Sequence, residues 1–114
     1  MSIQKWSDDI TVAEIGDDPL FSDDLVSLLD STEGEPADLA LNFAAVSFIN
    51  SSNVAKLLRL RKQTINAGKR LVICGVNTQV WGIFMVTGLD KIFDFTNDIS
   101  TALTTLQMGK GKQD

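Results

Sequence analysis

Two periods of hydrophobic and polar positions alternate along the chain. Ile3–Trp6 and Ile10–Ile15 read as short strands, and ITVAEI switches between apolar and polar residues as a half-buried strand does. The SDD between them has the composition of a hairpin-like turn. Residues 18–33 then follow a helical period through Leu20, Phe21, Leu25, Leu28 and Leu29. Ser22 with Asp23 and Asp24 suits the start of that helix, since acids complement the dipole there, and TEGEP closes it. Asp38–Phe43 is a third strand. Ser52–Ala67 is the clearest helix, with Val54, Leu57, Leu58 and Ile65 on one face, Arg61 inside that stripe and Gly68 as the residue beyond its end. Leu71–Val76 is a continuously apolar strand, as expected near the centre of a sheet. Asn77–Thr87 is a helix ended by Gly88, Lys91–Phe95 a fifth strand and Ser100–Gln107 a last helix.

This order, β-β-α-β-α-β-α-β-α, predicts an α/β fold: a single small domain with a mixed, mostly parallel sheet of about five strands and helices mainly on one face. The expected domain covers residues 1–108, with a polar C-terminal tail over 109–114. A chain of 114 residues can bury one core without disulfides or metal.

Composition narrows the chemistry. The chain has no histidine, which removes His-based triads, the usual proton shuttles and most zinc sites. Its one cysteine, Cys74, cannot form an internal disulfide and sits in LVICGV, where it reads as a small core hydrophobe. No apolar run approaches the roughly 20 residues that span a bilayer. The N-terminal segment has no basic stretch leading into an apolar one, so a cytoplasmic location without a secretory leader is expected. GKGK near the C-terminus follows no strand, no phosphate-loop or dinucleotide fingerprint is present, and no cofactor or metal is expected. The carboxylate pairs Asp8–Asp9 and Asp30–Glu33 fall in turns and on solvated faces, without a setting for acid–base work.

The net charge of -5 conceals an asymmetry. Residues 1–38 carry 11 acids and one base, whereas Lys56, Arg59, Arg61, Lys62, Lys69 and Arg70 follow with no acid among them. These are either two solvated faces of opposite sign or a basic docking face for an acidic partner or phosphate. Nucleic acid is not expected, because the chain is acidic overall and no aromatic residue is interleaved with these bases.

The stretch FINSSNVAKLLRL places Ser51 and Ser52 where a strand and loop meet a helix N-terminus. A serine there can cap the helix by accepting a first-turn N–H, worth about 1 kcal/mol. The same end suits a phosphate, because free N–H donors and a positive partial charge converge on it. Cap and phosphoacceptor are compatible roles. Nucleophilic catalysis by either serine is not expected, since there is no histidine and Lys56 lies in a solvated, very basic stretch.

The element order, the serine pair and TGLDKIF at 87–93 together resemble the STAS domain, and within it the bacterial anti-sigma factor antagonists. The resemblance runs from about Ile3 to Leu106 and is densest in VSFINSSNVAKLLRLRKQTINAGKRLVICGVN (46–77) and VWGIFMVTGLDKIFDF (80–95). It implies a non-enzymatic regulatory module. In that family a serine in a D-S-[ST]-G pattern is phosphorylated by a kinase that is also an anti-sigma factor, phosphorylation breaks the complex, and a phosphatase resets it. Ser51 matches the phosphorylated serine and Ser52 its hydroxyl neighbour. Asn50 stands in place of the aspartate and Asn53 in place of the glycine. EIGDDPLF keeps Gly16 of an early family segment and offers Asp18 for its aspartate. The implied docking surface is Asn50, Ser51, Ser52, Asn53, Lys56 and Arg59.

The segment NTQVWGIFMVTG is apolar almost all round, more than a helix covering one sheet face requires. Val80, Phe84 and Thr87 match inward positions of the family, leaving Trp81 and Met85 on a flank. Either this helix is deeply buried, or Trp81 and Met85 contact a partner or a second copy. The second alternative is a non-phosphorylated scaffold or assembly subunit, as in the stress-sensing complexes and lipid-transport systems that also use this family. A third is binding of a phosphorylated small ligand or lipid head group at the serine helix terminus.

Overall fold

The computed structural model describes residues 3–111, the last three as helical backbone only. From residue 112 on, the expected polar tail lies outside the described residues. The elements are β1 (Ile3–Lys5), β2 (Ile10–Glu14), α1 (Leu20–Gly34), β3 (Asp38–Asn42), α2 (Ser51–Asn66), β4 (Leu71–Cys74), α3 (Thr78–Thr87), a 3-10 turn at Leu89–Lys91, β5 (Asp94–Thr96) and α4 (Ile99–Gly111). Among the described residues no helix is long and apolar enough to cross a membrane.

The five strands lie side by side in chain order. β1 is antiparallel to β2, and the remaining neighbours are parallel. The register, with Ile10 opposite Asp38 and Leu39 opposite Leu71, sorts alternate residues between two faces. Ala13, Leu39, Leu41, Leu71 and Ile73 face the larger core, which α1, α2 and α3 cover through Phe21, Leu25, Leu28, Leu57, Leu60, Val80 and Phe84. Ile10, Ala40, Val72 and Cys74 face the other way, against Ala102 and Leu106 of α4. β3 and β4 are thus covered on both sides, which is why their sequences are almost unbroken apolar runs. Burial pushes the Cys74 thiol up to about 11, as fits a core residue, with the charge of Asp98 adding to the shift. The Phe43 ring lies between Phe21, edge-on at 5.7 Å, and Phe84 at 6.3 Å.

Several sequence expectations move. The inward face of α2 is Asn53, Leu57, Leu60 and Thr64; of the expected stripe Leu57 is buried and Val54 packs half-buried against the core, while Leu58 and Ile65 turn outward. Leu58 and Ile65 are exposed at 37% and 48%. Two of the four buried positions are polar, so hydrophobic periodicity hides them; the Thr64 hydroxyl meets its need within the helix by donating to the Leu60 carbonyl at 2.7 Å. Arg61, on the flank, lays its guanidinium over the Phe93 ring, 5.9 Å from its centre. Ser22 does not start α1. The helix begins at Leu20, and Asp18 reaches forward to accept the Ser22 N–H (3.0 Å) and hydroxyl (2.7 Å). The fifth strand is shorter and later than Lys91–Phe95, because the chain leaves Gly88 (φ +77°) into the 3-10 turn and buries Leu89 first. α3 is not deeply buried: Val80 and Phe84 are its buried residues, Val86 is 88% exposed, and Thr87 also faces out.

The position of α2 is testable by stability. Leu57→Ala is expected to cost about 2–5 kcal/mol in urea unfolding and Leu58→Ala less than about 1 kcal/mol. The opposite ranking would contradict the orientation described here.

Candidate functional site

The connection from β3 to α2 carries the serines, and side chains from three other places hold it. Val46 and Ile49 anchor it in the core. Asn42, at the end of β3, accepts the Ala44 N–H at 3.0 Å, and Asn77 donates to the Val46 carbonyl at 2.8 Å. Asp17 accepts both the N–H and the hydroxyl of Ser47. The turn after β4 passes close beneath: Gly75 has φ +72°, and a Cβ there would fall 2.9 Å from the Asn42 side-chain oxygen.

The helix start is then fixed by two asparagines. Asn50, in extended conformation, is the N-cap of α2. Its side-chain oxygen accepts the Asn53 N–H at 2.9 Å, and the Asn53 oxygen accepts the Asn50 N–H at 3.0 Å, a reciprocal capping box. The cap is therefore Asn50 and not either serine. Asn53 is only 2% exposed, and its amide nitrogen donates to the Asp18 carboxylate at 3.0 Å, tying the start of α2 to the start of α1. The Asn53 and Ser22 bonds hold the Asp18 carboxyl below its ordinary value; Ser47 does the same for Asp17.

Ser51 and Ser52 occupy the first two helical positions, and both are exposed. The capping box takes the N–H groups of Asn50 and Asn53 and leaves those of Ser51 and Ser52 for other acceptors. The Ser52 hydroxyl accepts a bond from Lys56 Nζ at 2.9 Å. The Ser51 hydroxyl has no hydrogen-bond partner among the described residues. Arg59 is exposed one turn beyond Lys56. The first turn of α2 itself carries no acid, while the carboxylates of Asp17 and Asp18 lie beside it in the cleft that Asn50 and Asn53 also line. Among the described residues no three His, Cys, Asp or Glu side chains converge to hold a metal.

Asn50, Ser51, Ser52, Asn53 and Lys56 are thus gathered on one helix turn and its cap. Trp81 and Met85 are exposed on α3 at 36% and 54%, the Trp81 ring standing edge-on to Phe95 at 5.0 Å. They do not share the cleft of the serine end: Asp17, Asp18, Ser47, Phe48, Asn50 and Asn53 line that one, whereas Trp81 lines another with Val76 and Phe95. Sequence reasoning missed Asp17 and Ser47 altogether. For Asp18 the only signal was its place in EIGDDPLF.

The family model of the STAS domain matches residues 8–102. Among solved structures, the chain is similar to a candidate anti-sigma factor antagonist from Thermotoga maritima, with TM-score 0.79 and 16% identity over 92% of each chain. It is similar to a variant of RsbS from Moorella thermoacetica at TM-score 0.76 and 18% identity, covering 94% of this chain and 96% of that one. It is also similar to the phosphorylated form of the Bacillus cell fate determinant SpoIIAA, at TM-score 0.69 and 14% identity, covering 90% and 96%. At these identities the likeness is one of fold.

Two outcomes follow from the capping network. Restoring the family residue, Asn53→Gly, removes the box and places glycine in a helix; it is expected to lower unfolding stability by about 1–2 kcal/mol. Asp18 has a folded pKa below its unfolded one, so its contribution is complete above about pH 4 and is lost as pH falls through the folded value. The Tm gap between wild type and Asp18→Ala should therefore narrow from about pH 6 to about pH 3. A gap constant across that range would show that the carboxylate is not the stabilising group.

Proposed function

The chain belongs to the STAS domain family, and on that premise we propose that it is a regulatory protein-interaction module of the anti-sigma factor antagonist kind, switched by phosphorylation of Ser51. The observation that carries this reading is the state of the two hydroxyls. Ser52 is engaged by Lys56, while Ser51 is exposed at the first position of α2, its hydroxyl without a partner among the described residues, beside N–H groups that the cap does not use. A phosphate there meets the positive end of the helix and needs no buried counter-ion. SpoIIAA, similar in fold, is known in a phosphorylated form.

The proposed docking surface is Asn50, Ser51, Ser52 and Lys56, with Arg59 at its edge. Asn53 belongs to it by positioning: it is buried and committed to the cap and to Asp18, so it sets where the serines stand and is not itself a contact. Asn50 in place of the family's aspartate spares a phosphate on Ser51 a neighbouring like charge. The partner is a kinase-type anti-sigma factor. Phosphate transfer is the partner's chemistry, a separate phosphatase reverses it, and this chain acts in the cytoplasm as the bound component. The unmodified chain docks; a phosphate adds close to two negative charges and bulk at the centre of the interface and releases it.

Mixing the protein with ATP and the kinase-type anti-sigma factor of the same cell tests this. Wild type should gain one phosphate and Ser51→Ala none. Ser51→Ala should bind as wild type does, and Ser51→Asp about tenfold or more weakly. Equal phosphate incorporation into Ser51→Ala, or unchanged affinity of Ser51→Asp, would contradict the proposal.

One observation favours a second reading, an unphosphorylated assembly subunit. α3 leaves Trp81, Met85 and Val86 exposed together on a short helix. In that case Trp81→Glu abolishes assembly and Ser51→Asp does not.

A further inference from the structure

The outer faces of α1 and α2 carry opposite charge and lie side by side. On α1, Phe21, Leu25, Leu28 and Thr32 face inward, which turns Asp23, Asp30 and Glu33 out. On α2, Asn53, Leu57, Leu60 and Thr64 face inward, which turns Arg59 and Lys62 out. A groove between the helices is lined by Glu33 on one wall and by Arg59 and Lys62 on the other. Gln63 sets the relative level of the two helices by donating to the Leu29 carbonyl at 2.9 Å and the Thr32 hydroxyl at 2.8 Å. Each helix follows one parallel strand and precedes the next, so the two run in the same direction. Among the described residues none of Asp23, Asp30, Glu33, Arg59 and Lys62 is in an ion pair.

We propose that this face is the interface of a symmetric homodimer in which the acidic ridge of α1 rests on the basic ridge of α2 of a second copy. A two-fold axis running along and between the helices exchanges the ridges while keeping direction and level. It brings Asp30 and Glu33 to the height of Arg59 and Lys62 on the second copy, and it does so twice. Val26, 46% exposed within the acidic ridge, supplies apolar contact. With a net charge of -5, two copies repel in most orientations, so the complementary one is selected. Arg59 belongs also to the surface proposed for the kinase-type partner. Mass measurements read the dimer alone, so this inference stands or falls independently of that function.

Sedimentation equilibrium of the full chain should give twice the chain mass at about 20 mM salt and one chain mass at about 500 mM, because short-range ion pairs are screened. Arg59→Glu with Lys62→Glu, and separately Asp30→Lys with Glu33→Lys, should each be monomeric at low salt. Mixed in equal amounts they should form a heterodimer, since both ridge contacts become complementary again. Trp81→Glu should remain dimeric. Far-UV circular dichroism confirms that the exposed-site variants are folded, and the salt series needs no variant. A wild-type monomer at low salt, a salt-independent dimer, or a mixture that stays monomeric would overturn the proposal.

Discussion

A carboxamide buried at a helix start must satisfy both its oxygen and its nitrogen, and the serine end of this protein is built around that requirement. Asn53 spends its oxygen on the Asn50 N–H and its nitrogen on Asp18. The first bond closes the capping box and fixes where α2 begins. The second crosses to α1, whose own first turn Asp18 also holds through Ser22. Asp17, one residue earlier, holds the approach loop through Ser47. Two consecutive acids thus fix the loop, the cap and the neighbouring helix together, and the two serines are presented at fixed positions on the first turn.

This arrangement separates what holds the site from what the site offers. Capping by Asn50 frees both hydroxyls from the structural task that a serine cap would have imposed. Of the two, Ser52 is tethered to Lys56, and Ser51 is left over. Asn50 carries no formal charge at the position just before Ser51, so the charges around the serines are those of the helix dipole, Lys56 and the carboxylates of Asp17 and Asp18. A phosphate on Ser51, as proposed, would add close to two negative charges to a helix turn that itself carries no acid.

Much of the fold was legible because the strands obey simple periods. ITVAEI alternates, since β2 lies towards the edge of the sheet, while LVIC and DLAL are nearly continuous because α4 covers the second face. Gly68 and Gly88 both mark helix ends with positive φ. Most of what could not be read concerns polar groups that are buried or bonded where no hydrophobic period marks them. Asn53 and Thr64 lie on the inward face of α2, where a hydrophobic count sees gaps and chooses Leu58 and Ile65 instead. Asp17 and Asp18 find partners 30 and 35 residues on, which no local pattern signals, so they read only as turn residues. The serine motif was legible by resemblance. Its cap was misassigned because serine and asparagine are equally good N-caps and stand next to each other.

Ser51 is the proposed site of modification, and the hydroxyl of its neighbour Ser52 is engaged by Lys56. The most direct measurement is the intact mass of the protein purified from its own cells, at rest and under stress, followed by peptide mapping. One added phosphate, located on Ser51 and changing in amount between the two conditions, is the predicted result. A mass without phosphate in both conditions, or a phosphate on Ser52 and not Ser51, would contradict it.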